Sequence, residues 1–259
     1  MSLRSALILS ALVLPGVARA EVKSKTIQYK DGDLELEGFL AWDDAVQGKR
    51  PGVLVVHEWW GLNDYARQRA EMLAKMGYVA FALDMYGKGK LTTHPQEAGA
   101  WATEIRKNTA AWQARAMKGL EVLRAQELVD TSRVAAMGYC FGGSTVIQLA
   151  YAGAPLRGVA SFHGALPPAP EGVKKVEAKV LICHGAADPF IPPKQVDDFR
   201  ATMDRLGADW HMVIYGGAKH SFTNPGANKA GVDGLEYNEK ADRRSWSELR
   251  SYLEELFGK

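Results

Sequence analysis

The sequence has little of what marks disulfide-stabilised, fibrous or membrane-spanning proteins. Its 259 residues contain only two cysteines, Cys140 and Cys183, and no internal repeat or low-complexity tract interrupts residues 21–259. The one prominent apolar run, residues 6–14, is well short of the ~20 residues that cross a bilayer as a helix. With 47% hydrophobic and 24% charged residues, the composition is globular, and the length suits one large α/β domain or two small ones.

An excess of charge of one sign is also absent. The formal net charge of +2 comes from Arg4 and Arg19, because residues 1–20 contain two basic residues and no acidic one. The remaining 30 basic and 30 acidic residues balance each other. This balance does not favour nucleic acid or an anionic membrane as a partner.

The first twenty residues predict a cleaved signal peptide. Arg4 supplies a positive start, the apolar run follows, and residues 18–20 (Ala-Arg-Ala) have the small-x-small form that signal peptidase recognises. We therefore expect cleavage after Ala20, a single domain over residues 21–259, and a periplasmic or secreted protein. No cysteine lies at the cleavage point, so no stable membrane anchor is expected after cleavage.

Short apolar runs alternate with amphipathic stretches along the rest of the chain. Residues 26–29 and 34–41 flank a turn and predict an opening β-hairpin. Further strands are predicted at residues 53–57, 78–83, 134–138, 159–162, 180–183 and 210–215, and helices at residues 63–76, 95–108, 111–126, 143–151, 193–206 and 236–257. This order predicts an α/β fold, with a mostly parallel sheet of about eight strands and helices on both faces. Because such sheets bind ligands beyond the carboxyl ends of their strands, catalytic residues should directly follow strands.

Residues 138–142 (Gly-Tyr-Cys-Phe-Gly) meet this criterion, since they join a predicted strand to a predicted helix. They have the form of a nucleophile elbow with Cys140 in place of serine. Glycine is expected at both ends, because a Cβ there would clash with the neighbouring strand and helix. The helix N-terminus favours a thiolate, and the backbone N–H of Phe141 would stabilise an oxyanion. The alternative interpretation is a buried cysteine at a glycine-rich helix start.

Two more polar residues follow predicted strands. Asp188 comes after the strand at residues 180–183, and His220 comes after the strand at residues 210–215. The resulting chain order of nucleophile, acid and histidine is the order of α/β-hydrolases. Three candidates in this order, each at a strand end, form a much stronger signal than any one of them alone.

The remaining histidines and the second cysteine have simpler interpretations. His57 is expected to be packed and hydrogen-bonded, and His163 to lie at the rim of the pocket. Cys183 lies in a buried strand that one other strand should separate from the strand before Cys140. That spacing of about 9–10 Å exceeds disulfide reach, so both thiols are predicted to be free.

Neither a metal site nor a cofactor site is predicted. Residues 57–61 (His-Glu-Trp-Trp-Gly) begin like the zinc motif H-E-x-x-H, but Gly61 stands in place of its second histidine. Residues 87–90 (Gly-Lys-Gly-Lys) lack the spacing of a phosphate-binding loop.

Several of these segments together resemble the dienelactone hydrolase family. The resemblance is carried by residues 57–63, 84–87, 138–143, 188 and 220–222, and it extends over essentially all of residues 21–259. It implies an α/β-hydrolase fold, a Cys-His-Asp triad, and hydrolysis of lactones or esters, typically of the carboxymethylenebutenolide type.

The resemblance also implies individual roles. Cys140 would be the nucleophile, His220 the base and Asp188 the acid that orients it. Glu58 matches the family's glutamate that pairs with the resting thiol until substrate binds. The backbone N–H of Trp59 would be the second oxyanion donor.

Two positions depart from the family pattern. Well-studied members hold a substrate carboxylate with two arginines, where this chain has Lys88 and Asn224. Lysine supplies charge but not the bidentate fork of arginine. We keep both residues as substrate-binding candidates, together with Trp60 and Tyr86 as walls of an apolar pocket.

The predicted function is hydrolysis of a small carboxylic ester or lactone through a cysteine acyl-enzyme, by a monomer. One alternative is a thioesterase or acyltransferase that uses the same triad with a different acceptor. A less favoured alternative is a thiol sensor without enzymatic activity. A sensor would need no histidine and aspartate at neighbouring strand ends.

Overall fold

The computed structural model describes residues 21–258, so the signal peptide predicted at residues 1–20 lies outside the described residues. Eight strands form one sheet: β1 (Val22–Asp31), β2 (Leu34–Asp43), β3 (Arg50–Val56), β4 (Val79–Leu83), β5 (Val129–Tyr139), β6 (Gly158–Phe162), β7 (Lys179–Gly185) and β8 (Trp210–Tyr215). Six α-helices connect or follow them: α1 (Asp64–Lys75), α2 (Pro95–Arg106), α3 (Thr109–Arg124), α4 (Phe141–Tyr151), α5 (Pro193–Arg205) and α6 (Glu239–Phe257).

The sheet has the strand order β1-β2-β4-β3-β5-β6-β7-β8. β1 pairs with β2, and β2 with β4, in antiparallel fashion, while all pairs from β4 to β8 are parallel. The opening hairpin and the mostly parallel eight-stranded sheet are therefore confirmed. The parallel order brings the carboxyl ends of β3, β5, β7 and β8 to one edge of the sheet.

Two apolar layers cover the two faces of the sheet. Alternate residues of β3 point to opposite sides: Val53 and Val55 pack in one cluster, and Leu54 and Val56 in the other. The first cluster includes the buried faces of α1 and α6, and the second includes those of α3, α4 and α5. The central strands are buried on both faces because helices cover both sides, which explains why residues 53–56 of β3 are all apolar.

Three helices begin where the sequence offers an asparagine cap. The side chain of Asn63 accepts the N–H of Ala66 at the start of α1, and Asn108 and Asn238 do the same for α3 and α6. The predicted starts of α3 and α6 are each displaced by two or three residues. None of the helices between residues 21 and 258 is long and apolar enough to cross a membrane.

Candidate active site

Cys140 occupies the sharp turn between β5 and α4, as predicted. Its backbone has φ 53° and ψ −113°, a conformation that non-glycine residues rarely adopt. A Cβ on Gly138 would lie 2.1 Å from the carbonyl oxygen of Gly142, and one on Gly142 would lie 2.2 Å from that of Val56. Both obstacles are backbone atoms, so only glycine allows this turn to pack against the end of β3.

His220 and Asp188 meet beside this turn. Nδ1 of His220 lies 2.7 Å from Oδ2 of Asp188, and the other carboxylate oxygen accepts the backbone N–H of Phe190 at 2.9 Å. With Nδ1 engaged, the Nε2 side of the ring is left for Cys140, which lines the same cavity and helps to raise the pKa of His220. All three predicted triad residues are therefore together at the carboxyl edge of the sheet.

The electrostatic setting favours a protonated His220. Burial opposes the charged form, but the sulfur of Cys140 and the carboxylate of Asp188 outweigh burial and raise the pKa of His220 to about 10. The ring is consequently an imidazolium at neutral pH, in contact with the predicted nucleophile. It can donate a proton to a group that leaves when the sulfur attacks.

The sequence predicts two oxyanion donors, the backbone N–H groups of Phe141 and Trp59. Among residues 21–258, neither N–H has a hydrogen-bond partner. Phe141 is the first residue of α4, where N–H groups lack an acceptor within the helix. Free N–H groups at such positions are suited to binding an oxyanion.

Glu58 is buried, and both its carboxylate oxygens have partners in the loop that carries His220. Ser221 donates from Oγ at 2.8 Å, and Asn224 donates from Nδ2 at 2.5 Å. Burial raises the pKa of Glu58 above its usual value, although these two hydrogen bonds act in the opposite direction. The structure thus joins Glu58 to Ser221 and Asn224 rather than to the Cys140 thiol, and the predicted pairing with the resting thiol stays a prediction.

His57 and His163, which the sequence does not place among the triad residues, both lie next to the candidate active site. His57 is fully buried and hydrogen-bonded at both ring nitrogens, as expected. His163 is 1% exposed, so it lies beneath the nucleophile and not at the rim. Its Nδ1 accepts the backbone N–H of Cys140 at 3.2 Å, and its Nε2 lies 2.7 Å from Oγ1 of Thr223. Nothing in the local sequence indicates this contact, because it depends on the packing of β6 beside β5.

A buried cation ties the loop after His220 to two helices. One guanidinium nitrogen of Arg69 lies 2.6 Å from the carbonyl oxygen of Thr223 and 2.6 Å from Oδ1 of Asp242. The same guanidinium stacks over the rings of Tyr65, Tyr139 and Trp246 at 5.2–5.4 Å. Arg69 belongs to α1 and Asp242 to α6, so both helices fix the position of this loop.

Cys140 and His220 open into a cavity of about 260 Å³. Its other walls include Trp59, Phe190, Ile191, Leu235 and Arg106. The guanidinium of Arg106 lies 5.4 Å from the centroid of the Phe141 ring and forms no ion pair with the described residues. The sequence analysis missed Arg106, because it lies at the end of α2 and not at a strand end.

The predicted substrate-binding residues are divided among different places. Trp60 and Asn224 line a second cavity of about 230 Å³, which shares Leu235 with the first. Tyr86 is 4% exposed and packs against Phe141, with ring centroids 5.5 Å apart. Lys88 is exposed and lines neither cavity. The structure therefore brings none of these four into the wall of the cavity that contains Cys140.

No group of three or more histidine, cysteine, aspartate or glutamate side chains within residues 21–258 is arranged to hold a metal ion. Around Cys140, His220 pairs with Asp188, Glu58 accepts from Ser221 and Asn224, and the backbone N–H groups of Phe141 and Trp59 are free of partners within the described chain. These are the components of acyl transfer to a thiol, in which donors stabilise charge on a carbonyl oxygen.

Comparison with known proteins shows which family the chain belongs to. The sequence profile of the dienelactone hydrolase family matches residues 36–257. A protein of Saccharolobus solfataricus, named as a candidate carboxymethylenebutenolidase, is 26% identical over 88% of this chain and 97% of its own length.

Solved structures show the same relationship. A dienelactone hydrolase-like promiscuous phosphotriesterase from metagenomic libraries is 38% identical, with a TM-score of 0.90 over 92% of this chain and 100% of that one. The dienelactone hydrolase of Anabaena variabilis shares the fold, with a TM-score of 0.63 and 19% identity over 91% of this chain and 98% of its own. With a family match that extends from β2 to the end of α6, the chain belongs to the dienelactone hydrolase family and is an ester or lactone hydrolase.

Proposed function

We propose that the enzyme cleaves small carboxylic esters or lactones through an acyl-enzyme on Cys140. The observation that carries this proposal is the contact of Cys140 with a His220 ring whose other nitrogen is held by Asp188. The sulfur lies at the start of α4 beside a histidine held by a carboxylate, an arrangement in which an adjacent base can activate a cysteine nucleophile.

In the first half of the proposed reaction, the Cys140 sulfur attacks the carbonyl carbon and the carbonyl oxygen becomes an oxyanion. The free N–H groups of Phe141 and Trp59 bind that oxyanion. The tetrahedral intermediate collapses to a thioester as the C–O bond of the ester breaks. His220 gives its proton to the departing alkoxide, which leaves as an alcohol, or stays tethered if the substrate is a lactone.

In the second half, the now neutral His220 takes a proton from water, and the resulting hydroxide attacks the thioester carbonyl. The same two N–H groups bind the second oxyanion. Collapse releases the carboxylic acid and restores the thiolate beside the imidazolium. Asp188 keeps the ring oriented throughout, with Nδ1–H donated to its carboxylate.

We propose carboxymethylenebutenolide-type lactones among the substrates, on the basis of the family and the names of its members. The cavity offers one free cation, Arg106, that a substrate carboxylate can reach. Lys88 and Asn224 replace the family's arginines and lie outside this cavity, so Arg106 is the better candidate for that contact.

Phosphotriester hydrolysis is a second candidate activity. It is favoured by the 38% identity to the promiscuous phosphotriesterase. A neutral phosphotriester with an aryl leaving group distinguishes the two activities. If the triester is the better substrate, carboxylic ester hydrolysis is the side reaction.

The acyl-enzyme is tested by quenching the enzyme with acid during turnover of a short-chain aryl ester. The masses of its peptides are then measured by mass spectrometry. We expect one acyl group on the peptide that contains Cys140, and slower loss of that group once formed in His220→Ala, which cannot activate water. Acyl groups found elsewhere, or unaltered turnover in Cys140→Ala, would overturn the mechanism. Products formed in water, alcohol and amine mixtures separate hydrolysis from acyl transfer.

We also propose that residues 1–20 direct export and are removed, leaving residues 21–259 as the working enzyme. The support is the sequence pattern around Ala20. Amino-terminal sequencing of protein recovered from the periplasm or medium should begin at Glu21. Recovery of the full-length chain from the cytoplasm alone would contradict export.

A further inference from the structure

We propose that His57 is a positioning residue for the oxyanion hole, whose imidazole orients the peptide group that carries the Trp59 N–H. The inference rests on the proposed function, because an oxyanion forms only when a carbonyl group is attacked. His57 directly follows β3 and is fully buried.

The hydrogen bonds of His57 fix which nitrogen carries the proton. Nε2 lies 3.1 Å from the backbone nitrogen of Met85, whose N–H can only donate, so Nε2 is the acceptor. Nδ1 lies against the carbonyl oxygen of Glu58, which can only accept, so Nδ1 is the donor. One donor and one acceptor describe a neutral imidazole, and burial lowers the pKa of His57 in agreement with this.

The carbonyl of Glu58 and the N–H of Trp59 belong to the same peptide group. The described chain has no cis peptide bonds, and in a trans peptide the C=O and N–H point in opposite directions. Holding the Glu58 oxygen against His57 therefore directs the Trp59 N–H away from the imidazole. Trp59 lines the cavity of Cys140, and its N–H has no partner among the described residues.

The imidazole is also fixed relative to the other predicted oxyanion donor. It stacks on the ring of Phe141, with centroids 6.2 Å apart and an interplanar angle of 27°. On another side it meets Tyr86 edge to face, with centroids 5.0 Å apart. His57 thus contacts both segments that carry the free N–H groups, and it can keep the two donors at a constant separation.

His163, in the same site, uses its Nδ1 in the opposite way to His57. Its Nδ1 accepts the N–H of Cys140, whereas Nδ1 of His57 donates, so the two rings have opposite tautomers. The contact of His163 is with the backbone of the nucleophile, and that of His57 is with the peptide of an oxyanion donor. A reaction that uses the sulfur but forms no oxyanion should therefore respond to loss of the His163 contact and not to loss of the His57 contact.

Two conservative variants separate the two hydrogen bonds of His57. The amide nitrogen of asparagine can take the place of Nδ1, and the amide oxygen of glutamine can take the place of Nε2. His57→Asn thus keeps a donor for Glu58, whereas His57→Gln keeps an acceptor for Met85 and loses that donor. Each is compared with wild type and with His211→Gln, a change at an exposed histidine on β8.

For His57→Gln we expect kcat for an aryl ester to fall about tenfold to a hundredfold with little change in KM, because the oxyanion exists only during the reaction. Alkylation of Cys140 by iodoacetamide forms no oxyanion and should stay within about twofold. His57→Asn should keep kcat within about threefold of wild type. His211→Gln should change neither rate.

The inference is overturned if His57→Asn and His57→Gln lose the same activity, or if alkylation falls in parallel with hydrolysis. The ¹⁵N shifts of His57 give a readout that needs no substrate: Nδ1 should be protonated and Nε2 bare, and the reverse tautomer would also overturn the inference. A wild-type enzyme that cleaves no ester but shows the expected tautomer would count against the proposed function and not against the position of this ring.

Discussion

The two cysteines lie in neighbouring parts of one sheet and have opposite surroundings. Phe162 of β6 stands between them: its carbonyl accepts the N–H of Cys140 on one side, and it pairs in register with Cys183 of β7 on the other. Cys140 is partly exposed, strained and in contact with His220. Cys183 is buried in a regular strand, where burial raises the pKa of its thiol to about 12.

The difference shows that position relative to the strand end decides what a thiol can do. A residue within a parallel strand is covered by helices on both faces, so its charged form is disfavoured. A residue just beyond the strand end reaches a helix N-terminus and side chains from the neighbouring loops. Both thiols are free, as predicted, although the sequence also predicts an exported protein.

The largest expected effect concerns turnover. Cys140→Ala should lower kcat/KM for an aryl ester by more than about a thousandfold, because the other triad members cannot act without the nucleophile. Cys183→Ala should keep kcat/KM within about twofold, since the site does not include that thiol. Comparable losses in the two variants would remove the functional contrast between the cysteines.

The next effect concerns chemical reactivity. In the native enzyme at pH 7, iodoacetamide should label Cys140 at least about a hundredfold faster than Cys183, because Cys183 is both buried and protonated. Peptide mass spectrometry measures both sites in one sample. The contrast should vanish in denaturant, and equal labelling of the native protein would contradict the assigned environments.

A third expectation concerns pH. The raised pKa of His220, about 10, means that the ring is protonated below that pH and loses its proton above it. Since the proposed first step uses that proton, kcat/KM should fall by about tenfold per pH unit above pH 10. Alkylation of Cys140 uses no such proton and should not fall there.

The variant Asp188→Asn tests whether His220 causes this fall of kcat/KM at alkaline pH. Removal of the carboxylate takes away one of the groups that raise the pKa of His220, so the alkaline limb should begin at a lower pH. If kcat/KM of this variant begins to fall at the same pH as in wild type, a group other than His220 causes the fall.

A smaller effect is expected from Glu58→Gln. If Glu58 restrains the resting thiol, its neutral amide should let iodoacetamide label Cys140 about threefold to tenfold faster near neutral pH. The amide oxygen can accept from Asn224 while the amide NH2 donates to the Ser221 hydroxyl, so the midpoint of thermal unfolding should change little. An unchanged labelling rate and pH profile would leave Glu58 without a role in restraint.

The smallest effect on the reaction should come from Cys183→Ser, which instead tests the packing side of the comparison. A hydroxyl in this buried strand keeps one neighbour, the hydroxyl of Tyr215, which lies 3.7 Å from the sulfur. We expect a loss of about 1–3 kcal/mol in the free energy of unfolding, measured in urea, with kcat retained. Cys183→Ala controls for the change in volume.

The sequence was most informative where one short segment holds both a strand and its functional residue. Cys140, Asp188 and His220 each follow a strand within a few residues, so parallel strand order was enough to bring them together. The boundaries of β5 were less predictable. β5 begins at Val129 rather than at residue 134, because the polar residues before 134 are accommodated by an irregularity opposite Pro51 and Gly52.

The sequence was least informative about the walls of the cavity. Arg106 reaches it from the last turn of α2, and the lateral position of a helix on a sheet depends on packing across the whole face. Trp60 is next to Trp59 in the chain, yet the two line different cavities, because successive residues of this loop point in different directions. Adjacency to a motif was therefore a poor guide to substrate contact.

The link between Asp242, Arg69 and Thr223 has a consequence for biosynthesis. Cys140 lies just past the middle of the chain, the acid, the histidine and finally α6 come afterwards, and Arg69 bonds a partner 173 positions away. Contacts of such sequence separation form late, after the local ones. On a nascent chain Cys140 is therefore present before Asp188 and His220, and the link from Asp242 through Arg69 to Thr223 can form only once α6 has been made.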